Sequence, residues 1–503
     1  MKVYLAGFNV DTTVLKELEN IAGKREDLTP EVLSAAYARI SRDPRPIDQI
    51  RQSAREEVER SRRSNSTIIF KMGHHSVAEH AMFNFDIIGL SRFAMEDMEK
   101  FRLCSYTEKS QRYITLDKDY VVPEEIKGTK FEEMFRDIIS EQNRAYFKLL
   151  AKLKEHVFAK HPDLAGDERN HNLLEGWAKE DARYITALAT ESQVGYTANA
   201  RNLELVLRRF ASHPLAEVRK LGNMLYDRIS RIAPSIVIFH KANDRDTKTY
   251  PELKILAGEV IGKVSKDNAL SPKEVDLVEF TPEGDNRVAA ALLHSSCAYS
   301  YEKCKKAVEN LSQETKAKLF KAACRHMQFY DSMVREFEYV NLTYNLTLSS
   351  ACFGQLKRHR MSSITAQSYD PALGNTIPES IKEIGMEKFF KEIISKTNEV
   401  YDQIFQEIPL AAPYILTNSH RKRVLIRLNA RELYHISRMR EDKHAQWDIQ
   451  NISGKMTDAA KKVMPLTFSL AGGKDRYNDM YRNLFGELPQ VTEASLPGAR
   501  KIG

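Results

Sequence analysis

Apolar positions along this chain follow two rhythms. From Met82 to Leu90 they partly alternate, with Phe83, Phe85 and Ile87 to one side, which is the period of a strand. After Ser91 the spacing becomes helical and predicts a helix ending near Lys100-Phe101-Arg102. Residues 129–160 and 386–408 carry apolar side chains at helical spacing with charges between them, so each predicts a long amphipathic helix. The pairs 201–211 with 215–232 and 431–439 with 445–463 read the same way. The expected class is α+β: two tandem helix-rich repeats, each with a small sheet and long helices.

The residues repeat along with the elements. Lys100-Phe101-Arg102, seven residues and then Ser110 correspond to Arg358-His359-Arg360, seven residues and then Ser368, at an offset of 258. Asn199-Ala200-Arg201 returns as Asn429-Ala430-Arg431 at 230, and Arg209 and His213 match Arg440 and His444 at 231. Ordered, nearly collinear blocks indicate a tandem duplication. The repeats are expected to span 1–240 and 274–503, joined by a linker at 241–273 whose text (KANDRDTKTYPELK) is polar and punctuated.

Composition narrows the possibilities. A hydrophobic fraction of 42% with 29% charged residues excludes a disordered chain, a collagen and a disulfide scaffold. No apolar run approaches the ~20 residues that cross a bilayer. The opening MKVYLAGFNVDTT has too little apolar length before Asp11 for a secretory signal. Five cysteines suit a reducing compartment, so a cytoplasmic location is expected. A net charge of +7 spread over 503 residues suits anionic small molecules, not a nucleic acid. The runs Arg60, Arg62, Arg63 and Arg421, Lys422, Arg423 read as solvated helix faces.

The strongest candidate chemistry is Arg358-His359-Arg360, preceded by Gln355. Arginines two apart project to different sides, and guanidinium forks grip phosphates in a two-pronged way. His359 offers a ring that can stack on or hydrogen-bond a heterocycle. The same residues would also suit a basic helix end that compensates its own dipole. His74, His75 and His80 beside Glu79, and Cys297, Cys304 and Cys324 with His326, fit no defensible metal pattern, so no metal is expected and the cysteines read as buried thiols. Ser110 has no His–Asp pair nearby to activate it and reads as a binding residue, and Trp447 as a packing residue. No G-x-G-x-x-G follows a strand.

These blocks resemble the flavin-dependent thymidylate synthase family, whose signature is Arg-His-Arg, seven residues and Ser. Gly73-His74-His75-Ser76-Val77-Ala78-Glu79-His80 is similar to that family's His-x-Ser/Thr-x-x-Glu-His segment. Ser105-Tyr106-Thr107-Glu108-Lys109-Ser110-Gln111-Arg112-Tyr113 is similar to its Ser-Tyr-x-Glu/Gln-x-Ser-x-Arg-Tyr segment. Arg440-Glu441-Asp442-Lys443-His444-Ala445-Gln446-Trp447-Asp448 is similar to its Arg-x-x-x-His-Ala-Gln-Trp-Glu segment.

The resemblance implies reductive methylation of dUMP to dTMP, with FAD as cofactor and methylenetetrahydrofolate and NADPH as co-substrates. It implies substrate binding by Glu108, Ser110, Gln111, Arg112, Arg183, Gln355, Arg358 and Arg440, with Arg440, Gln355 and Arg358 as the catalytic set. It implies flavin binding by His74, Ser76, Glu79, His359, Arg360, Asn199, Asn429, Arg431 and His444. Family sites are built between subunits, and here the sets are divided. The first repeat has Asp97, Lys100, Phe101 and Arg102 against Gln355, Arg358, His359 and Arg360, although Arg209 is kept. The second has Ala366, Tyr369 and Asp370 against Glu108, Gln111 and Arg112, and Pro413 against Arg183. Tyr330 and Arg335 stand near the places of His74 and Glu79. The losses are complementary, so a homodimer imitating the family tetramer is expected, with no membrane or nucleic-acid partner. The rival readings are a degenerate flavin- or nucleotide-binding relative, and a same-fold enzyme acting on another pyrimidine nucleotide.

Overall fold

The computed structural model describes residues 12–22, 29–32, 35, 47–67, 75–112, 115–116, 119–262 and 273–490. It combines helices with two small antiparallel sheets. Two compact units are present: Met1–Asn268 with Ser380–Thr417, and Ala269–Glu379 with Asn418–Gly503.

The first unit carries a sheet of β1 (Met82–Ser91), β2 (Ser105–Glu108) and β3 (Glu191–Asn199) in the order β1-β3-β2. Phe83 and Ile87 are buried on one face of β1 and Phe85 is partly buried beside them, as the alternation requires. A bulge at Gly89 then shifts the register, so that Leu90 returns to the core one position out of phase. Gly89 has φ +79, a left-handed conformation that strains any residue with a Cβ, and the tip of the Glu191 side chain would have to move aside for one. The helix Arg92–Glu99 follows, capped by Ser91. Two further helices, Ala200–Ala211 and Ala216–Ile229, complete this part of the unit.

The second unit has β4 (Val275–Phe280), β5 (Asn341–Ser349), β6 (Ser363–Ala366) and β7 (Arg421–Asn429) in the order β4-β5-β7-β6. The helices Ser350–Leu356, Ala430–Arg440 and Trp447–Val463 take the corresponding places. Leu342, Tyr344, Leu346 and Leu348 of β5 and Val424, Ile426 and Leu428 of β7 lie in its core with Phe337, Leu433 and Ile449. Each such side chain fully removed from water contributes about 1.5–3 kcal/mol.

The duplication is visible in the pairing. Glu108 faces Val194 and Ser105 faces Thr197 in the first sheet; Ala366 faces Val424 and Ser363 faces Arg427 in the second. Those partners keep the offsets of 258 and 230 read from the sequence. Because β1 holds one residue more than β5, the bulge glycine, the offset before it is 259: Met82 pairs with Asn199, and Asn341 with Asn429.

Three expectations change. The long helix Glu387–Glu407, read as part of the second repeat, packs within the first unit beside Glu132–Lys160, where the buried Gln142 Nε2 donates to Thr397 Oγ1 and to the Ile415 carbonyl at 2.9 Å each. Most of the stretch read as a linker is the helix Asp244–Ile261, started by a capping box between Asn243 and Asp246. Arg421, Lys422 and Arg423 lie on a strand rather than a helix, and the alternation of β7 buries Lys422 against Phe353 and Tyr369, with Nζ 4.4 and 3.8 Å from the ring centres.

Candidate functional site

In the second unit, Ser349 opens the helix Ser350–Leu356 by accepting from Cys352 N, and its hydroxyl donates to Asp448 Oδ2 at 2.6 Å. The chain leaves this helix through Arg358-His359-Arg360. Arg358 and Arg360 are exposed and His359 between them is buried. The imidazole therefore turns inward and presents no free face to a heterocycle. Its Nε2 accepts from Arg440 Nε at 2.9 Å, and Arg440 Nη2 donates to the Gln355 carbonyl at 3.2 Å. Gln355 Nε2 donates to Gln446 Oε1 at 3.3 Å, leaving its buried Oε1 with no hydrogen-bond partner among the described residues. Arg358 Nε donates to the Gly354 carbonyl. Gln355, His359 and Arg440 thus form one cluster, and the exposed Arg358 adjoins it through the chain.

The flavin candidates are spread more widely. Asn199 and Asn429 cap the helices that follow them, accepting from Asn202 N and Glu432 N. Arg431 is tied to the Met333 carbonyl and to Glu338. His444 is exposed, its backbone N–H bonded to Asp442. Ser76 is exposed on the turn His75–His80, and Glu79 pairs with Arg201. His74 lies outside the described residues.

In the first unit, Arg112 pairs with Glu180, and its N–H donates to Ser110 Oγ at 3.2 Å. Arg183 is buried beside them, Nε donating to the Glu180 carbonyl. Burial lowers the Arg183 pKa from its usual value, with Tyr184 and Glu180 opposing and Arg112 and Arg92 adding to it. Glu108 accepts from Ser192 Oγ, and Gln111 is buried next in the chain. Arg112, Arg183 and Arg92 thus lie close enough to lower one another's charge affinity, with Glu180 and Glu96 as their carboxylate partners.

Structural register revises two counterparts. The helices Ala200–Ala211 and Ala430–Arg440 both start at the capping asparagine, so the 230 offset holds along them and Arg440 corresponds to Phe210. Arg209 instead pairs with Asp246. From the capping asparagine to the downstream histidine the second repeat has one residue more, which is why Arg209 and Arg440 matched through that histidine. Likewise Glu79, at offset 259, corresponds to Glu338 rather than Arg335, and both glutamates pair with equivalent arginines. In the first unit the place of the His359–Arg440 hydrogen bond is taken by an edge-on contact of Phe101 with Phe210, ring centres 5.9 Å apart. Burial opposes the charge on Asp97, yet His213 and Lys100 hold its carboxyl well below the usual range. Of the cysteines, all free, Cys297 is exposed, against expectation, with its sulfur 3.7 Å from that of buried Cys304. Among the described residues, no group of three or more His, Cys, Asp or Glu could hold a metal, and no helix is long and apolar enough to cross a membrane.

Glu432, which sequence reading passed over, lies beneath the cluster: buried, with Oε1 3.9 Å from His359 Nδ1. Burial raises its pKa to about 7, against the pull of the Met361 N–H and Arg431. A carboxyl raised on folding adds stability that is complete below about 4.5 and lost as pH rises through about 7. Glu432→Gln is therefore expected to gain stability relative to the parent between pH 5 and pH 8, by up to about 3 kcal/mol. Urea midpoints across that window measure it, and parallel curves for the two proteins would refute it.

The two units are similarly built, each an antiparallel sheet with helices, and they carry different charged groups: Gln355, Arg358, His359 and Arg440 in one, Arg112, Arg183 and Glu180 in the other. The family described as Thymidylate synthase complementing protein matches residues 26–235 and 276–466, most of the chain, and the chain belongs to that family. It is 29% identical over 212 residues to the flavin-dependent thymidylate synthase of Clostridium tetani, covering 41% of this chain and 80% of that one. With the flavin-dependent thymidylate synthase of Mycobacterium sp. (strain JLS) it shares 30% over 190 residues, covering 36% and 73%. A UPF0159 protein of Thermoplasma acidophilum, a name that states no activity, is 22% identical over 483 residues, covering 88% and 93%.

Proposed function

We propose that this protein is a flavin-dependent thymidylate synthase that methylates dUMP reductively to dTMP, with methylenetetrahydrofolate as carbon donor and NADPH as reductant. The observation that carries the reading is the complementary division of residues. Gln355, Arg358, His359 and Arg440 become Asp97, Lys100, Phe101 and Phe210 in the first repeat, whereas Arg112 and Arg183 become Asp370 and Pro413 in the second. Unselected decay would have no reason to spare opposite parts of one ligand set.

In this reading Arg112, Arg183 and Arg358 hold the nucleotide phosphate, with Ser110, Gln111 and Glu108 alongside. Arg440 and the unsatisfied Gln355 Oε1 meet the uracil edge, where a fixed guanidinium polarises the ring toward attack through carbon. Arg360, Ser76, Glu79, Asn199, Asn429, Arg431, His444 and His74 are the flavin set, and the exposed Arg360 fork suits a pyrophosphate oxygen. FAD, when bound, supplies the hydride that reduces the transferred carbon. His359 serves from behind, through Arg440. The assembly is a homodimer of two-repeat chains.

Purified protein is expected to be yellow, with flavin absorbance retained through gel filtration, and to release tritium from 5-tritiated deoxyuridylate only when folate, FAD and NADPH are all present. Colourless protein that takes up no FAD, or flavoprotein that releases no tritium, would overturn the reading; the second result would favour a binding relative.

A further inference from the structure

The bond between Arg440 Nε and His359 Nε2 settles which ring nitrogen carries the proton. A guanidinium only donates, so Nε2 must offer a lone pair. An imidazolium would have none, and burial together with Arg440 and His435 pushes the His359 pKa well below its ordinary value. The ring is therefore neutral, with its proton on Nδ1.

That buried Nδ1 has no hydrogen-bond partner among the described residues, and neither has the buried Glu432 Oε1 that faces it. The two atoms are 3.9 Å apart, about 1 Å beyond hydrogen-bond length. A buried donor and a buried acceptor in this arrangement each cost free energy until they meet, and a small rotation of either side chain joins them. The other groups nearby do not compete for the proton. Arg431 is held by Glu338 and the Met333 carbonyl, and His435 meets the His359 ring edge-on, 5.6 Å between centres.

We propose that Glu432 is a positioning residue: it takes the His359 Nδ1–H, fixes the tautomer whose Nε2 accepts from Arg440, and so aims the Arg440 guanidinium. The internal duplicate supports treating the three as one device. At the equivalent places the first repeat has Asn202, Phe101 and Phe210, so carboxylate, imidazole and guanidinium were all replaced together. A carboxylate behind an imidazole does the same service for many metal-binding histidines, where its loss costs about 10–100-fold. Only the identity of what Arg440 meets rests on the thymidylate synthase reading.

The test uses full-length protein labelled with 15N-histidine, the His359 signals being assigned by their loss in His359→Phe. The parent is expected to show a neutral ring protonated at Nδ1, and an Arg440 Nε–H protected from exchange. Glu432→Gln, which keeps an acceptor oxygen, should preserve both. Glu432→Leu should mix the tautomers, expose the Arg440 proton and weaken deoxyuridylate binding about tenfold or more, measured by calorimetry. An Nε2–H ring in the parent, or a Leu variant with unchanged tautomer and exchange, would overturn the proposal. Failure of the parent to bind deoxyuridylate would instead strike at the proposed function and leave the tautomer result to decide this one.

Discussion

Arg112→Ala and Arg358→Ala should each lower turnover of deoxyuridylate by about 10²-fold or more, although the two residues lie in different repeats. In the proposed reading each removes a charge-assisted grip on a phosphate, worth about 1.5–3 kcal/mol by itself and more where the fork engages two oxygens. Arg112→Ala also leaves Glu180 without its ion pair beside buried Arg183, a negative charge that would oppose the proposed phosphate there. Arg102→Ala is the control. It matches the second arginine of the Arg-His-Arg triplet in the first repeat, is exposed, and should leave turnover within about twofold. Tritium release at saturating folate measures all three. Full activity in Arg112→Ala would remove the first repeat from the chemistry and end the idea of a divided ligand set.

Asp448→Ala should lower the melting temperature by about 4–12 °C. Its carboxylate accepts the Ser349 hydroxyl at 2.6 Å, both groups are buried, and the same hydroxyl caps the helix that carries Gln355 toward Arg358. Losing a buried hydrogen bond to a charged partner and stranding the other half costs about 2–3 kcal/mol, and about 2–4 °C accompanies each kcal/mol in a unit of this size. The first repeat contains the same strut: Ser91 caps its helix and is held by Glu217, which also accepts from Tyr414. Two independent copies of one buried contact indicate that it sets the approach of the helix before the signature. Asp448→Asn should lose less than Asp448→Ala. A Ser349→Ala, Asp448→Ala double variant should fall short of additivity by at least about 1 kcal/mol. A melting temperature that stays put in Asp448→Ala would refute the strut.

Much of this was legible from residue order because short-range physics imposes it. Phe83 and Ile87 are buried on one strand face since alternation is the geometry of a strand. The helices after Ser91, Asn199, Ser349 and Asn429 begin there because those side chains satisfy the first free N–H groups. The offsets of 258 and 230 reappear in the strand pairing for the same reason: a one-residue slip would turn every side chain to the wrong face.

What motif spacing missed depended on features that spacing does not carry. Matching Arg209 to Arg440 through the following histidine overlooked a one-residue insertion between helix start and histidine, which helix starts reveal and letter patterns hide. His359 read as a ring offered to ligand, yet it faces inward, because alternation of exposure across Arg358, His359 and Arg360 depends on how the chain leaves its helix. Lys422 read as solvated from its basic neighbours, but strand parity places it on the core side with Val424.

Residue order alone therefore carried the internal repeat, the first strand, the long helices and the unequal distribution of charged groups between the two repeats, because each is local or recurs at fixed offset. Tertiary structure alone decided that Arg440 answers to Phe210, that Glu387–Glu407 packs in the first unit, and that Glu432 stands behind His359. Those facts concern residues far apart in the chain, and the free energy that joins them comes from burial and hydrogen bonding that exist only once the chain has closed on itself.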